Sequence, residues 1–328
     1  MKKKRVLSGV RATGRLHLGN YLGAIKGMLA LQEDAEFETL YMVADLHAVT
    51  TPYKVDELRK NRREIILDYL AAGLDPEKSI LFQQSTIPHH AELAFYLSSV
   101  MTIARLQHLP TFKDKVKQHP EDATMALLNY PLLMAADILI YKADKVPVGI
   151  DQEPHLEIAR EIARKMNQEY GMDFPEPARF KTKGEYVPSL TGEGKMSKSV
   201  EGSYITLMDD LATIKGKLAK APTDSGKGSL NELPGGVSSL LKFVQLFEGE
   251  DKKKFYEEAY QTTGIRYGDL KKELADAIYK DLEPLQEKRR ELESNPEKVN
   301  KIITEGKEKA SLIAVATVNE VKEKMGLL

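Results

Sequence analysis

The chain changes character at one pentapeptide, Lys195-Met-Ser-Lys-Ser199, and that change limits the folds open to it. Before it, short apolar runs with β-branched residues alternate with apolar residues at helical spacing, the pattern of an α/β unit. After it, the pattern is almost purely helical. Gly192 and Gly194 precede the pentapeptide and Gly202 follows it, so the stretch reads as a mobile loop bearing two cations. Such a loop can swing lysines onto a polyphosphate and stabilise the charge that develops as it is cleaved. The expected architecture is α/β, a Rossmann-like doubly wound parallel sheet, followed by a C-terminal α-helical domain. The boundaries are 1–194 for the first domain and 195–295 for the loop and helical domain, with the last helix, about 296–328, packing back on the first.

Composition removes several kinds of chemistry. The 328 residues contain no cysteine, which excludes disulfides, thiolate catalysis and cysteine-ligated zinc or iron–sulfur clusters. The seven histidines show no His-Glu-x-x-His or similar ligand spacing, so no metal ligands are assigned. A net charge of −1 means that any nucleic acid is held by local basic patches rather than by a global field. No apolar run approaches the length needed to span a bilayer. Met1-Lys-Lys-Lys-Arg5 and the next arginine, Arg11, leave too short a stretch for a signal-peptide core, so the expected location is cytoplasmic.

Read in order, Val6–Val10 is a strand and Arg11-Ala-Thr-Gly14 a loop. Leu18, Leu22, Ile25 and Leu29 then mark one face of a helix from about Leu16 to Glu33. Strand, glycine-bearing loop and helix in this order form the first turn of a nucleotide-binding unit. Neither a Walker P-loop nor a Gly-x-Gly-x-x-Gly fingerprint is present; the turn carries His17-Leu-Gly-Asn20 instead. His17 and Asn20 point to one side of the opening helical turn and can donate to phosphate oxygens without adding a fixed charge. Gly23 and Gly27 read as close packing, whereas Gly19 reads as bare backbone on which a nucleotide could stack.

Thr39–Ala44 is a second strand, with Asp45 and His47 just past its end, where open α/β sheets bind ligands. Asp45 reads equally well as the cap of a turn. Asp56–Ala72 is a helix and Ser79–Gln84 a third strand. Met125–Tyr141 is helical, with Pro131 kinking or restarting it, and holds one carboxylate, Asp137, in an apolar run. Burying it unpaired would cost on the order of several kcal/mol, so it needs a donor from an arginine, a helix-terminal amide or a ligand N–H. Lys145–Ile150 is a fourth strand in which Pro147 suits an edge position, and Asp151 and Gln152 stand at its end. Later helices are expected at about 207–220, 237–248, 251–260, 267–293 and 296–326.

Together the histidine turn and the lysine pentapeptide resemble the class I aminoacyl-tRNA synthetases, and within them the bacterial-type tryptophanyl enzymes. The resemblance runs nearly end to end through Ser8-Gly-Val-Arg-Ala-Thr-Gly14, Leu16–Ala24, Ala44–Thr50, Tyr130–Asp137 and Val146–Gln152. It implies attack of an amino-acid carboxylate on the α-phosphate of ATP, then transfer of the aminoacyl group to tRNA(Trp). It implies ATP contacts at Arg11, Ala12, Thr13, Gly19, Asn20, Gly149, Ile150, Asp151, Val187, Lys195, Met196, Ser197, Lys198 and Ser199. His17, Asn20, Lys195 and Lys198 would be catalytic, with Mg2+ carried on the phosphates. For L-tryptophan it implies Asp137 accepting the indole N–H, walls at Met134, Val146 and Val148, and Tyr130 and Gln152 on the α-ammonium. It also implies anticodon binding by the helical domain and a homodimer, with no membrane attachment. Members often have Gln-Pro-Ser/Thr where Arg11-Ala-Thr13 stands, and an acidic residue where Ile150 stands. Rival readings are a tyrosyl enzyme, a small nucleotidyltransferase and a non-catalytic tRNA-binding paralogue.

Overall fold

A computed structural model describes residues 3–118, 121, 123–180, 186–198 and 200–328. Strand β1 (Lys4–Arg11) pairs in parallel with β2 (Phe37–Ala44) along its whole length, from Lys4 opposite Phe37 to Arg11 opposite Ala44. β2 pairs on with β3 (Ser79–Gln83), while β1 touches β4 (Lys145–Val146) and β4 pairs with β5 (Ala178–Arg179). The parallel order is β3-β2-β1-β4-β5, so the winding direction reverses between β1 and β4. That reversal opens a crevice at the carboxyl ends of those two strands. β2 is buried throughout Thr39–Ala44, as a strand covered on both faces must be.

The fourth strand is shorter than its sequence predicts. Pairing stops at Val146 because Pro147 has no N–H for the ladder, and its carbonyl instead accepts from Ser8 Oγ at 3.3 Å. β4 is also internal, flanked by β1 and β5, so the expected edge position is corrected. The freed backbone runs through Val148 and Gly149 into a tight turn, Ile150–Gln152, which leads into the crevice.

The first helix is continuous over 18–32 but not uniform: α1 (Leu18–Asn20), a π-helical turn (Tyr21–Ile25) and α2 (Lys26–Gln32). Leu18, Leu22 and Ile25 are buried, as their spacing requires. The sheet is further covered by α3 (Val55–Ala71), α4 (His89–Leu97), α5 (Ile103–Gln107), α6 (Pro110–Gln118), α7 (Met125–Ile140) and α8 (Glu153–Tyr170). α7 accommodates Pro131 within one helix; Thr124 caps its start by accepting the Leu127 N–H at 3.2 Å. The helical half comprises α9 (Leu211–Ala219), α10 (Gly235–Glu248), α11 (Glu250–Gln261), α12 (Tyr267–Ser294) and α13 (Pro296–Lys324).

Two apolar cores form, one on each side of the sheet. One joins Leu18, Ile25, Tyr41 and Ile65 to Leu240, Leu274 and Leu282 of the helical half. The other joins Leu40, Phe82, Ile138 and Ile158 to Ala310, Ala314 and Val318. α13 reaches both by crossing β3, which also covers that sheet edge. The crossing is close: a Cβ on Gly306 would sit 1.8 Å from the Leu81 carbonyl oxygen. The crossing itself is therefore made by a small residue, while Leu312 on the same helix is 75% exposed.

Candidate active site

Two adjoining cavities occupy the crevice. The larger, about 1060 Å³, is lined by Arg11, Thr13, His17, Gly19, Asn20, Gly149, Ile150, Asp151, Lys195, Met196, Ser197 and Lys198 among others. The smaller, about 410 Å³, is lined by Asp137, Tyr130, Met134, Gln152, Val146 and Val148, together with His47, Thr111 and His155. Ser8, Gly9, Arg11, Val148 and Gln152 line both, so the cavities meet over the ends of β1 and β4. Of the nucleotide candidates, Ala12 and Val187 line neither; at 2% and 1% exposure they lie in the core beneath. Ser199 lies outside the described residues.

The larger cavity is roomy enough for a nucleotide and has lysines in its wall. His17 opens the first helix; Asn20 Oδ1 accepts its backbone N–H at 3.2 Å, which leaves the Asn20 amide nitrogen as a donor. The His17 ring is buried, and its Nδ1 has no hydrogen-bond partner among the described residues. Burial first, then the nearby Lys198 and Lys195 ammonium groups, push its pKa down to about 4. At neutral pH the ring is a neutral donor. Gly19 is required by crowding as much as by a ligand: a Cβ there would lie 2.9 Å from the His17 ring and 3.3 Å from Met196 Cβ. Gly23, read as a packing glycine, also lines this cavity.

The lysine loop is docked against the histidine turn. Lys198 Nζ donates to the Gly14 carbonyl at 2.8 Å. Burial lowers the Lys198 pKa to about 8. Met196 is buried beneath the loop and its N–H donates to the Val187 carbonyl at 3.1 Å, while Lys195 is exposed. A polyphosphate in this space would meet cations on one side and neutral donors on the other.

In the smaller cavity Asp137 is 1% exposed and already satisfied. Its Oδ1 accepts from His90 Nδ1 at 2.7 Å and Gln84 Nε2 at 2.7 Å, and its Oδ2 from His47 Nε2 at 2.8 Å. Burial would raise its carboxyl pKa, but the hydrogen bonds from His47 and His90 outweigh it and hold the group below the usual range. His90 Nε2 accepts from Tyr141 Oη at 2.8 Å, so both its nitrogens are committed and the tautomer is set. Oδ2 has one partner and therefore room for a second donor from the cavity.

A second network orients Tyr130 and Gln152. His155 Nδ1 donates to Gln152 Oε1 at 3.0 Å, and its Nε2 accepts from Tyr130 Oη at 2.6 Å. Burial lowers the His155 pKa, which suits this neutral role. The tyrosine oxygen and the glutamine carbonyl oxygen are thereby held as acceptors at the cavity wall. Asp45, by contrast, is structural: it accepts the Ser85 N–H at 2.8 Å and pairs with Arg62 at 2.6 Å. Sequence reasoning missed His90, His155 and Gln84; His90 follows Pro88 by two and His155 follows Gln152 by three, the only local signals they carry.

A histidine turn and a lysine loop close on one cavity at the point where a parallel sheet reverses its winding, the arrangement that the resemblance to class I aminoacyl-tRNA synthetases implies. The chain matches the family described as tRNA synthetases class I (W and Y) over residues 1–283. It belongs to that family. It is 43% identical over 332 residues to the tryptophan--tRNA ligase of Caldanaerobacter subterraneus, covering 99% of each chain. It is 40% identical over 325 residues to that of Porphyromonas gingivalis, covering 98% of each. Its fold is similar to the crystal structure of tryptophanyl-tRNA synthetase from Campylobacter jejuni complexed with ADP and tryptophan, with TM-score 0.87, 33% identity, and 98% of this chain and 100% of that one covered.

Proposed function

We propose that the chain is a tryptophan--tRNA ligase. Tryptophan's carboxylate oxygen attacks the α-phosphorus of ATP, the bond from that phosphorus to the bridging oxygen breaks, and pyrophosphate leaves. The tryptophanyl group then passes to a ribose hydroxyl of tRNA(Trp), releasing AMP. The observation that carries this reading is the junction of the two cavities: an apolar pocket with a buried carboxylate in its wall adjoins a larger, lysine-lined space.

Asp137 Oδ2 accepts the indole N–H, with Met134, Val146 and Val148 as apolar walls and Tyr130 and Gln152 as acceptors for the α-ammonium. An indole nitrogen is only a donor and an ionised carboxylate only an acceptor, so the match is selective. His17 and Asn20 donate to the phosphates, and Lys195 and Lys198 take the charge that builds on pyrophosphate. Catalysis is positioning and electrostatics, without a covalent enzyme intermediate. ATP enters as its Mg2+ complex. Among the described residues no group of three or more histidines and acids is placed to hold a metal ion.

Residues 195–295 are assigned to the lysine loop and the reading of the tRNA anticodon, and a homodimer is part of the same reading. An apolar groove of about 370 Å³ between α4 and α7, lined by Val49, Phe95, Ala126 and Leu133 among others, supports the dimer. Phe95 is 75% and Val49 39% exposed there. No helix among the described residues is long and apolar enough to cross a membrane.

The test is amino-acid-dependent exchange of pyrophosphate into ATP. Tryptophan alone should support exchange. Exchange with tyrosine instead would overturn the assignment of the Asp137 pocket, and exchange with neither would leave a non-catalytic relative.

A further inference from the structure

The helical half reaches the phosphate cavity through two buried polar side chains that the reaction itself does not use. Gln286 and Arg289 stand three residues apart, and so on one face of α12, at 5% and 0% exposure. A buried guanidinium must be paired, and this one is. Arg289 Nη1 donates to Asp68 of α3, Nη2 to Glu64 Oε2 at 2.6 Å, and Nε to Glu293 at 2.8 Å. The two α3 acids pass the contact on. Asp68 Oδ2 accepts the Leu16 N–H at 3.1 Å, and Glu64 Oε2 pairs with Arg15 Nε at 2.9 Å. Those are the two residues that precede His17.

Gln286 acts from the other side. Its Nε2 donates to the carbonyls of Leu207 at 3.1 Å and Asp209 at 2.9 Å. The segment it grips is paired to the histidine turn: Leu18 N–H donates to Ile205 at 3.0 Å and Leu207 N–H to Leu16 at 3.1 Å, on either side of a bridge between His17 and Thr206. The same segment leaves the lysine loop, where Ser203 Oγ donates to the Ser197 carbonyl. Two hydrogen-bonded routes thus run from one helix face to residues 15–18.

We infer that Gln286 and Arg289 are positioning residues for the ATP step, setting His17 against the phosphates so that the placement of α12 governs adenylate formation. The inference rests on the ATP-activating reading above. Among the described residues, none of those lining the smaller cavity is an end point of either route.

The test measures exchange kinetics for Gln286→Met and Arg289→Lys in the full chain. Each should raise KM for ATP and lower kcat, together about tenfold in kcat/KM, with KM for tryptophan within about twofold. Combined with His17→Asn, Gln286→Met should cost no more than about a further twofold, because both act through the same contact. Parallel changes in both KM values, or losses that multiply with His17→Asn, overturn the inference and leave a general stabilising role. If Arg289→Lys does not fold, Gln286→Met, which removes no charge, decides. Absence of exchange in the wild type removes the parent reading and this inference together; with wild-type exchange present, the variants test the inference alone.

Discussion

The two cavities share one crevice and are built on opposite principles. In the smaller cavity, proposed above for tryptophan, the polar groups Asp137, His90, Tyr130 and Gln152 are all partnered before a ligand arrives. Asp137 has three donors, His90 uses both nitrogens, and Tyr130 and Gln152 are tied through His155. These residues stand on regular elements or at their ends: α4, α7, the start of α8, and the end of β3. In the phosphate cavity the polar groups wait. His17 Nδ1 is without a hydrogen-bond partner among the described residues, Lys195 is exposed, and Lys198 rests on a backbone carbonyl that a phosphate would outbid electrostatically. Selection among amino acids calls for a fixed acceptor whose desertion is costly. Stabilising charge that appears only during reaction calls for donors not already committed.

The largest expected effect breaks the first of these environments. Asp137→Asn keeps the shape but replaces two acceptor oxygens by one and adds a donor facing His47, His90 and Gln84. Tryptophan-dependent exchange should fall by at least about 10³-fold, and urea unfolding should show a loss of about 2–4 kcal/mol. A folded Asp137→Asn enzyme that still discriminates tryptophan from tyrosine would show that selection lies in pocket shape alone. In the second environment, Lys198→Ala should lower kcat about 10²- to 10³-fold with KM for tryptophan and stability nearly unchanged, since among the described residues its hydrogen bond is to the Gly14 carbonyl alone. A stability loss comparable to that of Asp137→Asn would erase the contrast between fixed and waiting groups.

Much of this contrast was legible in the sequence, unevenly. The phosphate side is contiguous in the chain: His17-Leu-Gly-Asn20 and Lys195-Met-Ser-Lys198 each carry several cavity residues in a row, so short motifs locate them. The smaller cavity was reached only through the resemblance, which named Tyr130, Met134, Asp137, Val146, Val148 and Gln152, and all six line it. What supports them was not legible. His90, Gln84 and His155 reach Asp137 or Tyr130 across separations of 47, 53 and 25 residues, and nothing in linear spacing records such a contact. The short β4 was missed because Val-Pro-Val satisfies strand preference while Pro147 withholds the N–H that pairing needs. Gly306 carries no signal of its own in the sequence of a long helix, yet it is where α13 crosses the Leu81 backbone; close approach is a property of the partner as much as of the glycine.

Acidification should expose the next difference. His17 has a pKa near 4 in the folded chain against an ordinary value of 6.5, so between those values the unfolded state binds more protons. Stability from this group is therefore complete above about pH 6.5 and is lost as pH falls toward 4, by on the order of 3 kcal/mol. His17→Asn should flatten that part of the curve in urea titrations at stepped pH. An unchanged acid limb would mean that the ring is not held neutral by its surroundings.

The smallest effect sharpens the comparison most. With Lys198 at a pKa of about 8, roughly half of the free enzyme lacks that proton at pH 8. Bound phosphates favour the charged form, so ATP binding at pH 8 should take up about half a proton, and close to none at pH 6.5. Calorimetry in buffers of different ionisation enthalpy reads this directly, and Lys198→Met should abolish it. Tryptophan binding should differ: Asp137 is held ionised and His155 held neutral, so neither of these two changes state between about pH 6.5 and 9. Proton uptake with ATP and none with tryptophan is what a waiting site beside a fixed one requires. Equal uptake by both ligands would mean that the hydrogen-bond network around Asp137 rearranges on binding, and the pocket would then be as unformed as the loop.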